Sequence, residues 1–273
     1  MSKLRLTSLL ANLPSRLLFA LVCLMVPQNI PFAHAGDGIT LYLNLLPHRL
    51  TRNSGKQYDL FLQELLQDSG LKVDLRPGPM GRSKTDFLHD PGSCLFPTNL
   101  RALNVGELGN QLESSVRVDV VSLRLYTAKE KTAGAKLSDF DPARVGYIRG
   151  SGAIYALGGD RDRFVPIDTE AQLIQMLELD RIDAFLGHHP DTALAIHQLG
   201  KPDALHVSPL NFENLRFPVS FVCHKTAVNR HFLETINPSI EQMHADGRMR
   251  TIFGPHAEFN LSDEPQDDGP LVR

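Results

Sequence analysis

The stretch Arg144-Val145-Gly146-Tyr147-Ile148-Arg149-Gly150-Ser151-Gly152 begins as a strand and ends as a turn. Val145 to Ile148 has the β-branched and aromatic content of a short buried strand. Gly150-Ser151-Gly152 then gives the backbone freedom to turn and leads into a helix through Leu157. The same alternation continues on both sides. Upstream, Val118 to Tyr126 is a long β-rich run, and the polar stretch Ala128 to Lys136 reads as a loop. Downstream, Phe164 to Ile167 is a strand. Thr169 and Gln172 have capping-box spacing ahead of Leu173, Met176 and Leu177. Ile182 to Leu186 is the next strand. Pro190 and Gly200 then bracket a helix at its first residue and just past its end, before Leu205-His206-Val207.

A similar series fills the first half of the chain. Ile39 to Asn44 reads as a strand. Tyr58, Phe61, Leu62, Leu65 and Leu66 fall on one helical face that Gly70 ends, and Leu71 to Leu75 alternates as a strand does. Pro77, Gly78, Pro79 and Gly81 predict a loop, and Cys94-Leu95-Phe96 another strand. Such β-α-β order implies parallel strands with helical crossovers. The end of the chain departs from it: Phe217 to Cys223 is a strand and Val228 to His244 a long helix, interrupted by Pro238 and stopped by Gly247. This leftover strand and helix can complete the first unit, which is short of helices, so the chain would cross between two units twice. Residues 257–273, poor in apolar groups and carrying Asp263, Glu264, Asp267 and Asp268, predict a disordered tail.

Charge and length fit this division. The 273 residues carry 28 basic and 31 acidic side chains. That balance argues against a dedicated nucleic-acid binder, which would present a basic face. Lys3, Arg5 and Arg16 precede an apolar run from Leu17 to Val26, followed by Pro27, Pro31 and Ala33-His34-Ala35. This is the pattern of a secretory signal peptide cleaved after Ala35; the run is too short to span a bilayer. A buried or membrane-anchored helix is the alternative, and Cys23 fits a lipoprotein site poorly. Cleavage leaves 25 basic against 31 acidic groups, a net charge of −6, on an exported protein expected in the periplasm. Of its two remaining cysteines, Cys94 and Cys223, both lie in strand-like segments and read first as buried free thiols, with a disulfide as the alternative.

Several short motifs, in order, resemble the bacterial extracellular solute-binding proteins of family three. Arg144 to Gly152 is similar to their strand-to-helix turn, Asp180-Arg181-Ile182-Asp183-Ala184 to a strand start, and Leu137-Ser138-Asp139-Phe140 to the step before the second lobe. Pro97-Thr98-Asn99-Leu100-Arg101 is similar to the turn after their third strand, and Asn237 to Gly247 to the terminal helix. The match runs over about residues 39–254. It implies an α/β protein with a two-lobed, hinged fold of the periplasmic-binding-protein type II kind, each lobe a mixed five-stranded sheet with flanking helices. Lobe 1 would be 36–119 plus 212–256 and lobe 2 would be 120–211, with a ligand trapped between them.

The resemblance also implies candidate site residues. Arg101 would fork onto a ligand carboxylate, or would otherwise be a surface arginine pairing with Glu107; Thr98 would add a hydroxyl or cap a helix. Gly150, Ser151 and Gly152 would offer backbone N–H groups at a helix start, or simply cap it. His188, in Leu186-Gly187-His188-His189-Pro190, stands where amino-acid-binding members carry an aspartate for the ligand's ammonium, and an imidazole does not replace that carboxylate. This argues against an ordinary α-amino-acid ligand: the expected ligand is a small polar or anionic, carboxylate-bearing solute, and the two readings of His188 are a ligand without an amine and residual binding. Asp191, in the first helical turn, is expected to face elsewhere. Arg82 would face the cleft or brace its own loop, and Arg49 is equally open. No aromatic lies between Tyr42 and Tyr58 to cover a ligand.

The expected partners are a small-molecule ligand and an inner-membrane transporter permease or a sensor; no nucleic acid, no cofactor and a monomeric state are expected. The alternatives are a binding-deficient scaffold or partner-contacting sensor of the same fold, a metal site built on His188, His189, Asp191 and His48, and an enzyme. No Ser-His-Asp, Cys-His or paired-carboxylate constellation stands out for the last.

Overall fold

A computed structural model describes residues 38–52, 55–67, 69–128, 136–201 and 205–259. The expected signal peptide, and most of the expected 128–136 loop, lie outside the described residues. The chain order is β1 (Gly38–Asn44), α1 (Gln57–Gln67), β2 (Lys72–Gly78), α2 (Met80–Leu88), β3 (Ser93–Thr98), α3 (Leu100–Leu103), β4 (Leu112–Ser114) and β5 (Asp119–Ala128). It continues with β6 (Val145–Ile148), α4 (Ile154–Leu157), β7 (Val165–Ile167), α5 (Glu170–Glu178), β8 (Ala184–His189), α6 (Asp191–Gln198), β9 (Leu205–His224), α7 (Ala227–Ala245) and α8 (Arg248–Phe253).

The strands form two five-stranded mixed sheets that share β9. In the first, β1 runs parallel to β2 and β3, and the last part of β9 is antiparallel to β3 and β4. In the second, β6 is parallel to β7 and β8, and β5 is antiparallel to β8 and to the first part of β9. The pairing of β9 with β5 reaches Asp119↔Val219, and the next residue, Ser220, already pairs with Thr98 of β3. Leu205–Val207 and Phe217–Cys223, read from sequence as separate strands, thus belong to one 20-residue strand.

Each sheet buries both faces, so its strands alternate between two cores. Cys94, Phe96, Phe221 and Cys223 pack with α1, α7 and α8 residues such as Phe61, Phe232 and Phe253, whereas Leu95 and Val222 pack with Phe87 of α2 and Leu103 of α3. In the second sheet Leu123, Leu125 and Leu186 face Ala153 and Leu157, while Tyr126 and Phe185 face Leu173, Ile174 and Leu177 of α5.

Three expectations need correction. Cys94 and Cys223 are directly opposed in the β3–β9 ladder and form a disulfide closing a span of 129 residues, so they are not free thiols. Met80–Leu88 is a helix where the Pro/Gly cluster read as a loop; Pro79 sits at its N-cap, and Ser83 and Phe87 turn inward at helical spacing. Residues 257–259 of the expected tail belong to the fold, with Glu258 bridging to Val120 and Phe259 packing on the first core; residues 260–273 lie outside the described residues.

Candidate functional site

After β1 the chain makes a tight turn closed by reciprocal backbone bonds, Leu46 N to Leu50 O (2.9 Å) and Leu50 N to Leu46 O (2.8 Å). The turn sends His48 and Arg49 in different directions. His48 reaches the second sheet's helices, with Nδ1 2.9 Å from Gln198 Oε1 on α6 and Nε2 3.6 Å from Glu170 Oε2 on α5. Arg49 is wholly buried. Its guanidinium lies 4.0 Å over the ring of Tyr58, forms a salt bridge to Asp119 and stands 3.9 Å from Asp191 of α6. Tyr58 completes the cluster by donating its hydroxyl to Asp119 Oδ1 at 2.9 Å.

Burial sets the electrostatics of this cluster. It drives the Asp191 carboxyl up to about 6; Arg49 pulls the other way, and Glu170 and Asp119 add to the rise. Burial opposes the charge on Arg49, yet Asp119 and its neighbours hold the group above its ordinary value. A hydrogen bond to Glu170 raises His48 against its own desolvation. Burial lowers His188, which Glu170 offsets in part, so the imidazole at the expected ammonium-binding position is neutral at pH 7. Contrary to expectation, Asp191 turns toward this cluster.

A second cluster lies beside the strands that join the sheets. Asn99, Leu100, Arg101, Ser114, Ser115, Arg117, Pro218 and Ser220 line a pocket of about 50 Å³. Asn99 caps α3 by accepting from Ala102 N (2.7 Å), a role the sequence offered to Thr98. Thr98 instead presents its carbonyl to Ser220 Oγ (3.4 Å). The Arg101 guanidinium stands 6.0 Å over the Phe217 ring. Ser115 is spent on the backbone, donating to Val116 O (2.7 Å) and accepting from Phe221 N (3.0 Å). Burial and the nearby Arg216 lower the pKa of Arg117.

The other expected residues stand apart from this pocket. Gly150 turns at φ 75°, Ser151 Oγ accepts from Ala153 N (3.2 Å), and the helix that follows is one turn long, so this segment caps itself. Arg82 is exposed, pairs with Asp86 at 3.7 Å and lines an open hollow of about 700 Å³ with Arg52, Arg76 and Asp90. His189 faces away from His188: its Nε2 lies 3.8 Å from Glu258, whose carboxylate also pairs with Arg124 and Arg216. Burial, with Arg124 near, lowers His189 to about 4.

The roles of Asp119 and Arg117 escaped the sequence reading. One signal was available: an aspartate between Val118 and Val120 in a β-rich run must find a partner if it is buried.

Two mixed α/β sheets that share β9, with helices on both faces, define a two-lobed fold of the periplasmic-binding-protein type II kind. Solved structures carry the same fold. The GluR0 ligand-binding core from Nostoc punctiforme, in complex with L-glutamate, is 11% identical over 79% of this chain and 97% of its own, with a TM-score of 0.62. An ancestral arginine-binding protein bound to glutamine is 19% identical over 81% and 97%, with a TM-score of 0.58. A histidine kinase sensor domain with similarity to periplasmic binding proteins is 12% identical over 82% and 98%, with a TM-score of 0.64. No family profile and no curated protein matches the chain. The resemblance drawn from the sequence motifs therefore holds at the level of the fold.

Proposed function

We propose that this chain is an exported solute-binding protein that takes a small polar or anionic, carboxylate-bearing solute near the crossing strands, with Arg101 as the principal contact. The observation that carries this reading is the pocket joining Arg101 and Arg117 to Asn99 and the serines, since guanidinium groups among hydroxyl and amide donors suit an anion. Solved proteins of this fold hold amino acids, but position 188 carries an imidazole, whose pKa burial lowers, in place of a carboxylate. The hinge would fall at Asp119 in β5 and Val219 in β9, with residues 36–119 and the chain from Ser220 onward forming lobe 1. Delivery to an ABC-type transporter or service as a sensor would follow from ligand-dependent closure. A thermal-shift screen over organic acids and amino acids tests the reading: a carboxylate-bearing solute raises the melting temperature, and Arg101→Ala removes the effect.

A second reading has its own observation. His48 already bonds to α5 and α6, and Arg49 faces Asp191, so side chains after β1 join the second sheet's helices directly. A protein closed by its own residues would serve as a scaffold or partner-contacting sensor, and no solute in the screen would then shift its melting.

A further inference from the structure

We propose that the pocket between Arg101 and Arg117 holds a single tetrahedral oxyanion, as inorganic phosphate or sulfate or as the phosphoryl end of a small solute. This deepens the solute-binding reading and rests on its choice of Arg101 as anchor.

The charge of the lining comes first. Two arginines line the pocket and no carboxylate does. Among the described residues Arg117 has no ion-pair partner; the nearby Asp119 is held by Arg49 and Tyr58. The Nε of Arg117 is buried and makes no hydrogen bond among the described residues. A buried donor left unmet costs about 1–3 kcal/mol unless something accepts from it, and the same side chain lines the pocket.

Size and donor geometry narrow the class. A water needs about 10–15 Å³ of such space, so about 50 Å³ admits a group of a few heavy atoms and excludes a whole amino acid. The lining donors come from separate elements: Arg101 from α3, Ser114 from the end of β4 and Arg117 from the approach to β5, while the Ser220 hydroxyl is already donated to Thr98 O. Asn99 accepts with its carbonyl oxygen from Ala102 N, which leaves its amide NH₂ as a further donor. Donors from separate elements suit an oxyanion with acceptors in all directions better than a planar carboxylate, which one guanidinium satisfies in a single plane.

The experiment is isothermal titration of the full chain with inorganic phosphate, inorganic sulfate, O-phosphoserine, acetate and succinate at constant ionic strength. The expected result is saturable binding of a tetrahedral anion, at least tenfold tighter than acetate or succinate. Arg117→Gln should weaken it about tenfold or more, in line with the loss of a hydrogen bond between charged groups. Ser114→Asp, at an exposed position, should weaken it similarly by placing a carboxylate at the mouth, with an unchanged circular dichroism spectrum as the folding control. Tighter binding of O-phosphoserine than of phosphate would assign the anion to an organic solute, and the reverse to the free ion. Carboxylates binding through Arg101 while phosphate, sulfate and O-phosphoserine do not would overturn this inference and leave the solute-binding reading standing. Failure of every anion would remove both. Tetrahedral anions binding equally well to the wild type and both variants would place them elsewhere and also overturn it.

Discussion

Arg49 and Asp119 form a salt bridge in which both side chains are fully sheltered from solvent, and the Arg49 guanidinium also faces Asp191 on α6 at 3.9 Å. The pair ties the turn after β1 to the start of β5, where Asp119 lies opposite Val219 of β9.

Breaking one side of such a pair leaves a buried charge without a partner, so Asp119→Ala is expected to destabilise the protein by about 3–5 kcal/mol. Replacing the whole pair, Arg49→Met with Asp119→Leu, removes the stranded charge and should recover most of that loss. Denaturant unfolding of the three proteins checks this; a double variant no more stable than Asp119→Ala contradicts it.

The Asp191 carboxyl should titrate near 6 in the native protein, against an ordinary value of 3.8. The native state then keeps a proton that the unfolded chain has already released. The stability from this group is complete below about pH 4 and is lost as pH rises through 6. His189 works in the opposite sense: held near 4 when folded, it contributes stability above about 6.5 that is lost as pH falls toward 4. Carbon-detected NMR of the Asp191 carboxyl reads the first directly, and Asp191→Asn should abolish that part of the pH dependence of unfolding. A midpoint at an ordinary carboxylate value would contradict the assigned environment.

The disulfide from Cys94 to Cys223 closes a loop of 129 residues. By loop-closure entropy, its removal in Cys94→Ala/Cys223→Ala should cost about 4–5 kcal/mol. A melting temperature unchanged by the double substitution or by reductant would argue against the bridge.

Gly146, at the centre of the strand that opens the second unit, has no room for a methyl group. A Cβ there would sit 2.4 Å from Leu173 Cδ2 and 3.1 Å from Ile182 Cδ1. Gly146→Ala should destabilise by about 1–3 kcal/mol through overpacking, and Gly146→Ala with Leu173→Ala should behave better than the sum of the two. Strict additivity would contradict the contact.

Periodicity made much of this fold legible. Tyr58, Phe61, Leu62 and Leu65 fall on the buried face of α1 as their spacing required, and the β-rich run from Val118 is β5. Local pattern failed where long-range packing decided. Pro77, Gly78 and Pro79 signalled a loop, yet Pro77 and Gly78 continue β2 beside β1 and Pro79 caps α2. The disulfide depends on the β3–β9 register, which neither cysteine's neighbourhood encodes. The candidate site was legible only in part: Arg101 could be named from its motif, but Arg117 could not, because its place beside Arg101 arises only when β9 brings Pro218 and Ser220 between the sheets.

The measurement that tests the solute-binding account most directly is a thermal-shift titration of wild type and Arg101→Ala against a library of small carboxylate- and oxyanion-bearing solutes. The account predicts a saturable rise for at least one solute, about 2.7 kcal/mol of added stability at a hundred times Kd, and no rise in the variant. A wild-type protein whose melting no solute moves, or a rise that Arg101→Ala leaves intact, would contradict it.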